Sequence, residues 1–161
     1  MRSSESLAEI FAMIPDDVFR DRLEQTLVEI ETHISNTREC AAVEVIASPH
    51  YWRMVVIPFF PATCSFELII RADQKFSIRL ADQTFEDRTV EDFSLFLKLL
   101  RAIESGRVEK ILKFDAMTEK LVAIAMRLSL DSNHHWHGEH RLAPVPPNEE
   151  WRTHRYLPYC R

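Results

Sequence analysis

At Cys40 the spacing of apolar residues changes, and no other feature limits the fold as much. Before it, Phe19, Leu23, Leu27, Ile30 and Ile34 recur every three or four residues, the stripe of an amphipathic helix. After it the period is two. AAVEVIAS (41–48) alternates Val43 and Val45 against Glu44, and YWRMVVIPF (51–59) follows as a richly apolar strand. TCSFELIIR (63–71) places Cys64, Phe66, Leu68 and Ile70 on one face, and KFSIRL (75–80) does the same with Phe76, Ile78 and Leu80. Strands joined by turns this short are most simply antiparallel neighbours, so a meander of about four strands is expected.

The rest of the chain is placed around that meander. Residues 4–13 read as a short helix ending near Pro15, and 16–34 as a longer one with Asp16, Asp17 and Asp21 near its positive end. Thr89, with Asp92 three residues on, reads as the N-cap of a helix over 90–105, and Gly106 as its C′ residue. Residues 108–114 and 119–130 fit either strands or a helix. The turn-like DAMT and DSN tetrapeptide and tripeptide beside them favour strands. The Pro-rich stretch 142–161 is expected to be an extended arm held down by Trp151, Tyr156 and Tyr159. The expected architecture is one α+β domain over 1–161: a helical segment over 1–39, the meander, a packed helix, further antiparallel strands and the C-terminal arm.

Composition excludes several functions. Gly106 and Gly138 are the only glycines, so neither a P-loop nor a dinucleotide-binding turn can be built. A net charge of −5 argues against general nucleic-acid binding. Glu5 and Glu9 interrupt the first apolar run, unlike a secretory signal, and no run of about 18 apolar residues offers a membrane span. Cys40, Cys64 and Cys160 form no CxxC pair and read as buried free thiols of a reducing compartment, which makes the cytoplasm the expected location. No GxSxG elbow is present.

The most conspicuous motif is NHHWHGEH (133–140), with four of the seven histidines. On a strand over 134–141, His135, His137 and Glu139 share one face, while His134, Trp136, Gly138 and His140 share the other. Two imidazoles and a carboxylate on one side are a candidate site for a divalent metal such as zinc, with a position left open for water. The string H-W-H-G-E-H also resembles the HxHxDH motif of metallo-β-lactamase-fold hydrolases, with Glu139 in place of Asp. That resemblance implies metal ligands at His135, His137, Glu139 and His140. It covers six residues; the family's motif lies early in a larger αββα fold, whereas here only a short tail with His154 follows. The chain is not assigned to that family.

Trp151, Arg152, Arg155, Tyr156 and Tyr159 are residue types enriched at binding hot spots and form a candidate partner surface. The expected function is therefore that of a small cytoplasmic non-enzymatic protein that needs no cofactor and binds a protein partner, of the toxin-neutralising (immunity-like) or chaperone-like kind. A homodimer is compatible with this reading. The alternative is a metal-dependent enzyme or metal-binding protein using His135 and His137. A small-ligand carrier would need a pocket between the meander and helix 90–105.

Overall fold

The computed structural model describes residues 17–131 and 133–160, so the helix expected over 4–13 lies outside the described residues. Helix α1 (Asp17–Thr37) carries the sequence stripe inward: Phe19, Leu23, Leu27, Ile30 and Ile34 are all buried. Five antiparallel strands follow: β1 (Ala41–Ala47), β2 (Tyr51–Pro58), β3 (Phe66–Arg71), β4 (Lys75–Leu80) and β5 (Gln83–Thr89), paired in sequence order. The meander thus has one strand more than expected. β5 escapes detection because Phe85 is its only buried residue and polar or charged residues make up the rest. The turn before it places Ala81 at φ 53°, a conformation that alanine rarely adopts and no composition rule marks.

One face of this sheet is buried under α1 and helix α2 (Ser94–Glu104). Trp52, Met54, Phe66, Leu68, Ile70, Phe76 and Ile78 meet the buried side chains of both helices. The start of α2 differs from the expectation. Thr89 is paired with Lys75 in the sheet, and Asp92 instead anchors the helix, accepting hydrogen bonds from the Ser94 N–H (2.9 Å) and hydroxyl (2.8 Å). The end is as expected. Gly106 sits at φ 75°, its N–H bonded to Ile103 O, while the Arg107 N–H reaches Ala102 O, a Schellman arrangement. The same glycine lets the tail approach: a Cβ there would lie 2.7 Å from the Pro158 nitrogen.

The ambiguous segments are strands. β6 (Val108–Asp115), β7 (Leu121–Ser129) and β8 (His135–Arg141) are joined by the two expected turns, each held by an aspartate that accepts backbone N–H groups, Asp115 from Met117 and Asp131 from His134. The arm is more ordered than predicted. Residues Glu149–Arg155 form β9, which pairs antiparallel with β6, so the second sheet runs β8-β7-β6-β9. The proline count concealed a strand because the prolines all flank it. Of the three aromatic anchors, Tyr159 is buried and Tyr156 half-buried, but Trp151 is exposed. Among the described residues, no helix is long and apolar enough to cross a membrane.

The reading of three free thiols is corrected. Cys40 and Cys160 form a disulfide, with Cα atoms 5.7 Å apart and a sequence separation of 120. It ties the end of the tail to the junction between α1 and β1. Cys64 alone is a free, buried thiol, which burial pushes up to about 12. Closing so long a loop constrains the unfolded chain strongly. Replacing Cys160 by Ser should therefore cost about 4–5 kcal/mol of stability, seen as a lower denaturant midpoint without reductant. An unchanged midpoint would show that the tail is held by its other contacts alone.

Candidate functional site

β8 alternates as the sequence implies, and its two faces do different work. On the inward face, Trp136, Gly138 and His140 grip a single ring from the first sheet, Phe85. The Trp136 ring meets it edge-on at 5.3 Å, and the His140 imidazole stacks on it at 4.6 Å with 6° between planes. His140 Nε2–H donates to the Thr84 carbonyl at 2.6 Å, which fixes its tautomer. Between the two rings lies Gly138; a Cβ there would stand 2.5 Å from Phe85 Cε1, so the aromatic edge fills the space that glycine leaves. Arg88 reaches over both aromatic rings, 5.8 Å from the Phe85 centroid and 5.6 Å from that of Trp136. Half of the histidine motif is thus an inter-sheet clamp.

The outward face holds His135, His137 and Glu139, but among cations. The Arg127 guanidinium, directly across from His137 in the register, donates to His135 Nε2 at 3.3 Å and so occupies that lone pair. Glu139 forms an ion pair with Lys113 at 2.5 Å and lies 3.7 Å from Arg141. Its carboxyl is held below the usual range chiefly by Lys113, against a smaller opposing effect of burial. The stabilisation from this pair is therefore present above the ordinary carboxylate range and is lost as pH falls through the depressed value. A divalent ion would have to displace Lys113 and work against Arg127 and Arg141. Among the described residues, no three of His, Cys, Asp and Glu gather where they could hold a metal ion. His134 lies outside the strand, its Nδ1 2.7 Å from Asp131.

The same face continues across the sheet. Lys113 Nζ sits 4.4 Å from the Trp151 ring centroid, and Trp151 Nε1–H donates to Glu149 at 2.7 Å. Arg155 pairs with Glu109 at 2.8 Å. Buried Ala123 and Ala125 on β7 keep the centre of the face low, so the long side chains around them rise above it. Of the five candidate partner residues, Trp151 and Arg155 lie on this open face. Arg152 lies on the other side of the sheet, over the Phe114 ring at 4.5 Å, where Tyr156 packs against the core. Tyr159 is interior, its hydroxyl donating to Cys64 O.

Sequence reasoning missed Lys113, Arg127 and Arg141. Alternation places Arg127 beside Ala123 and Ala125, but only the strand register brings all three cations to the histidines. It also missed a second locus, where His33 Nε2 meets Glu104 at 2.5 Å across 71 residues of sequence.

Two outcomes follow from this geometry. Gly138→Ala should cost about 1–3 kcal/mol through overpacking, measured by chemical denaturation, and Phe85→Leu should restore part of that loss. A Gly138→Ala protein as stable as wild type would remove the clamp. Protein purified without a histidine tag should hold no stoichiometric zinc. One zinc per chain that vanishes in the His135→Ala, His137→Ala double variant would establish the metal site instead. No known family model, no curated protein and no solved structure matches the chain, so its function rests on this geometry alone.

Proposed function

We propose that the protein is a non-enzymatic interaction module that binds a protein partner through the outward face of the four-stranded sheet. The observation that supports the reading best is the make-up of that face. Exposed Trp151, Arg127, Arg141 and Arg155 stand with His135 and His137 on paired strands, and no described element packs over them. Trp and Arg are the residue types that dominate binding energy at interfaces. Here they are held in place by Glu149, Glu109 and the Lys113–Glu139 pair, so little side-chain freedom would be lost on binding. The spread of these side chains over four strands suits a macromolecule better than a small substrate.

Within that class, a toxin-neutralising or chaperone-like partner role fits the small size and the mixed charge; this finer assignment is analogy. The cytoplasmic location expected from free thiols loses its main support with the Cys40–Cys160 bond, which favours an oxidising compartment.

The test is a double variant, Arg127→Glu with Trp151→Ala. Both residues are exposed, so thermal stability should be unchanged. Affinity capture with wild-type protein should yield a stoichiometric complex cross-linked at β7, β8 and β9, and the variant should lose it by about a hundredfold in affinity. A complex indifferent to the double substitution, or cross-links confined to α1, would sink the proposal.

A further inference from the structure

β9 is an edge strand, with β6 as its one strand neighbour among the described residues. Which of its backbone groups are left over follows from the register. Tyr156 N–H bonds to Val108 O, and Ala116 N–H bonds to Asn148 O, so the even-numbered residues between 148 and 156 turn their backbone groups to β6. Glu149, Trp151, Thr153 and Arg155 therefore turn their N–H and C=O groups to the free edge. No proline interrupts that edge, and every residue from Glu150 to Arg155 is exposed. Such a row of donors and acceptors is a template for another strand.

The charges of β9 decide which strand fits. Its sequence, EEWRTHR, is acidic at the start and basic at the end. Laid antiparallel against a second copy of itself, with all 7 residues paired, Glu149 meets the partner's Arg155 and Glu150 meets the partner's His154. Trp151 meets the partner's Thr153, and Arg152 meets the partner's Arg152 on the two-fold axis. Edge-facing residues then stand opposite edge-facing residues, as hydrogen-bonded pairs require. Sliding the copy by two residues either way unpairs the strand ends and sets Arg155 against Pro147 or Arg152 against His154. β1, the edge of the first sheet, has no such match: Glu44 is its single charge, and Arg38 already donates to Val43 O.

The single chain leaves these charges available. The Arg155 side chain is 75% exposed and gives one nitrogen to Glu109. Glu149 accepts from the Trp151 indole through one oxygen, while the other makes no hydrogen bond, with Arg141 3.5 Å away. The Arg152 guanidinium lies back over the Phe114 ring of β6 at 4.5 Å, so the two like charges at the axis lean apart. On the open face the two Trp151 rings fall on the diagonal of the pairing, within reach of each other.

We propose that the protein forms a homodimer by antiparallel pairing of β9 with its copy, which joins two four-stranded sheets into one. The pairing uses the strand edge and not the outward face, so it stands or falls independently of partner binding there.

Sedimentation of the full, oxidised chain should show a monomer–dimer equilibrium. Thr153→Pro removes an edge-facing N–H, so it should keep the wild-type circular dichroism spectrum and abolish the dimer. Glu149→Arg and Arg155→Glu should each weaken dimerisation by at least about tenfold. An equimolar mixture of those two proteins should recover it, because each substituted residue then faces its opposite charge. A folding defect in either chain could not give that recovery. Single cysteines read the register. Arg152→Cys should form a disulfide-linked dimer under mild oxidation, whereas Trp151→Cys and Thr153→Cys should not, because position 152 alone faces itself. A chain still monomeric at about 1 mM, a dimer untouched by Thr153→Pro, no recovery in the mixture, or linkage at 151 or 153 in place of 152 would each overturn the proposal.

Discussion

Phe85 is the one inward side chain of β5, and it enters the second sheet where Gly138 has no Cβ. The contact decides how the two sheets sit together. Trp136 and His140 flank it on the same face of β8, and the His140 bond to Thr84 O pins the imidazole to the backbone of the strand that carries the phenyl ring. The ion pair between Lys110 and Asp82 ties β6 to the turn before β5 from the neighbouring strand. Met126, Leu128 and Val108 then join the core that the helices build on the first sheet, so both sheets share one hydrophobic cluster. A side chain at 138 would separate the sheets at this point, and the aromatic contacts on either side would loosen together because they are made to the same ring.

That clamp gives half of the metal-like motif a packing role. Strand alternation divides H-W-H-G-E-H into an aromatic and glycine set that packs and a His and Glu set that faces solvent. The packing between the sheets rests on Trp136, Gly138 and His140. The remaining residues are free to serve the outer face, where Lys113, Arg127 and Arg141 decide what they can do. A carboxylate beside Lys113 is already charge-balanced, and an imidazole that accepts a bond from arginine is already coordinated. The face therefore carries a network of paired side chains running across the sheet.

Sequence was informative where side-chain period speaks for itself. The α1 stripe, the inward residues of β1, β3 and β4, the Gly106 helix end and the alternation of β8 could all be read from local patterns. What could not be read depends on contacts between distant segments or on unfavourable local geometry. β5 has a single apolar residue and starts after a turn with alanine at positive φ. β9 has almost no apolar pattern because it is an edge strand with both faces partly wet, and its charges discourage pairing with any strand that does not complement them. Cys40 and Cys160 had no spacing to betray them, since their meeting follows from the path of β9. The site residues show the same division. The histidines were conspicuous, but the cations that define their surroundings came only with the register.

The tail is where these separate pieces become one cooperative unit. After β9 the chain leaves the second sheet, bonds to Ala62 beside β3 through the Leu157 N–H, packs Pro158 on Gly106 at the end of α2, and buries Tyr159. Within five residues it has touched both sheets and α2, and the disulfide then adds the end of α1. Burial pushes the Tyr159 phenol well above its ordinary range, and its hydroxyl donates to Cys64 O. A segment held at so many points closes loops across almost the whole chain, and that makes its loss costly far beyond its own area. It also fixes one wall of a cavity of about 540 Å³ between the C-terminal ends of α1 and α2. Pro158, Tyr159 and the Cys40–Cys160 bond line that cavity as well as fixing the tail, so the stability of the tail and the shape of the cavity are governed by the same residues.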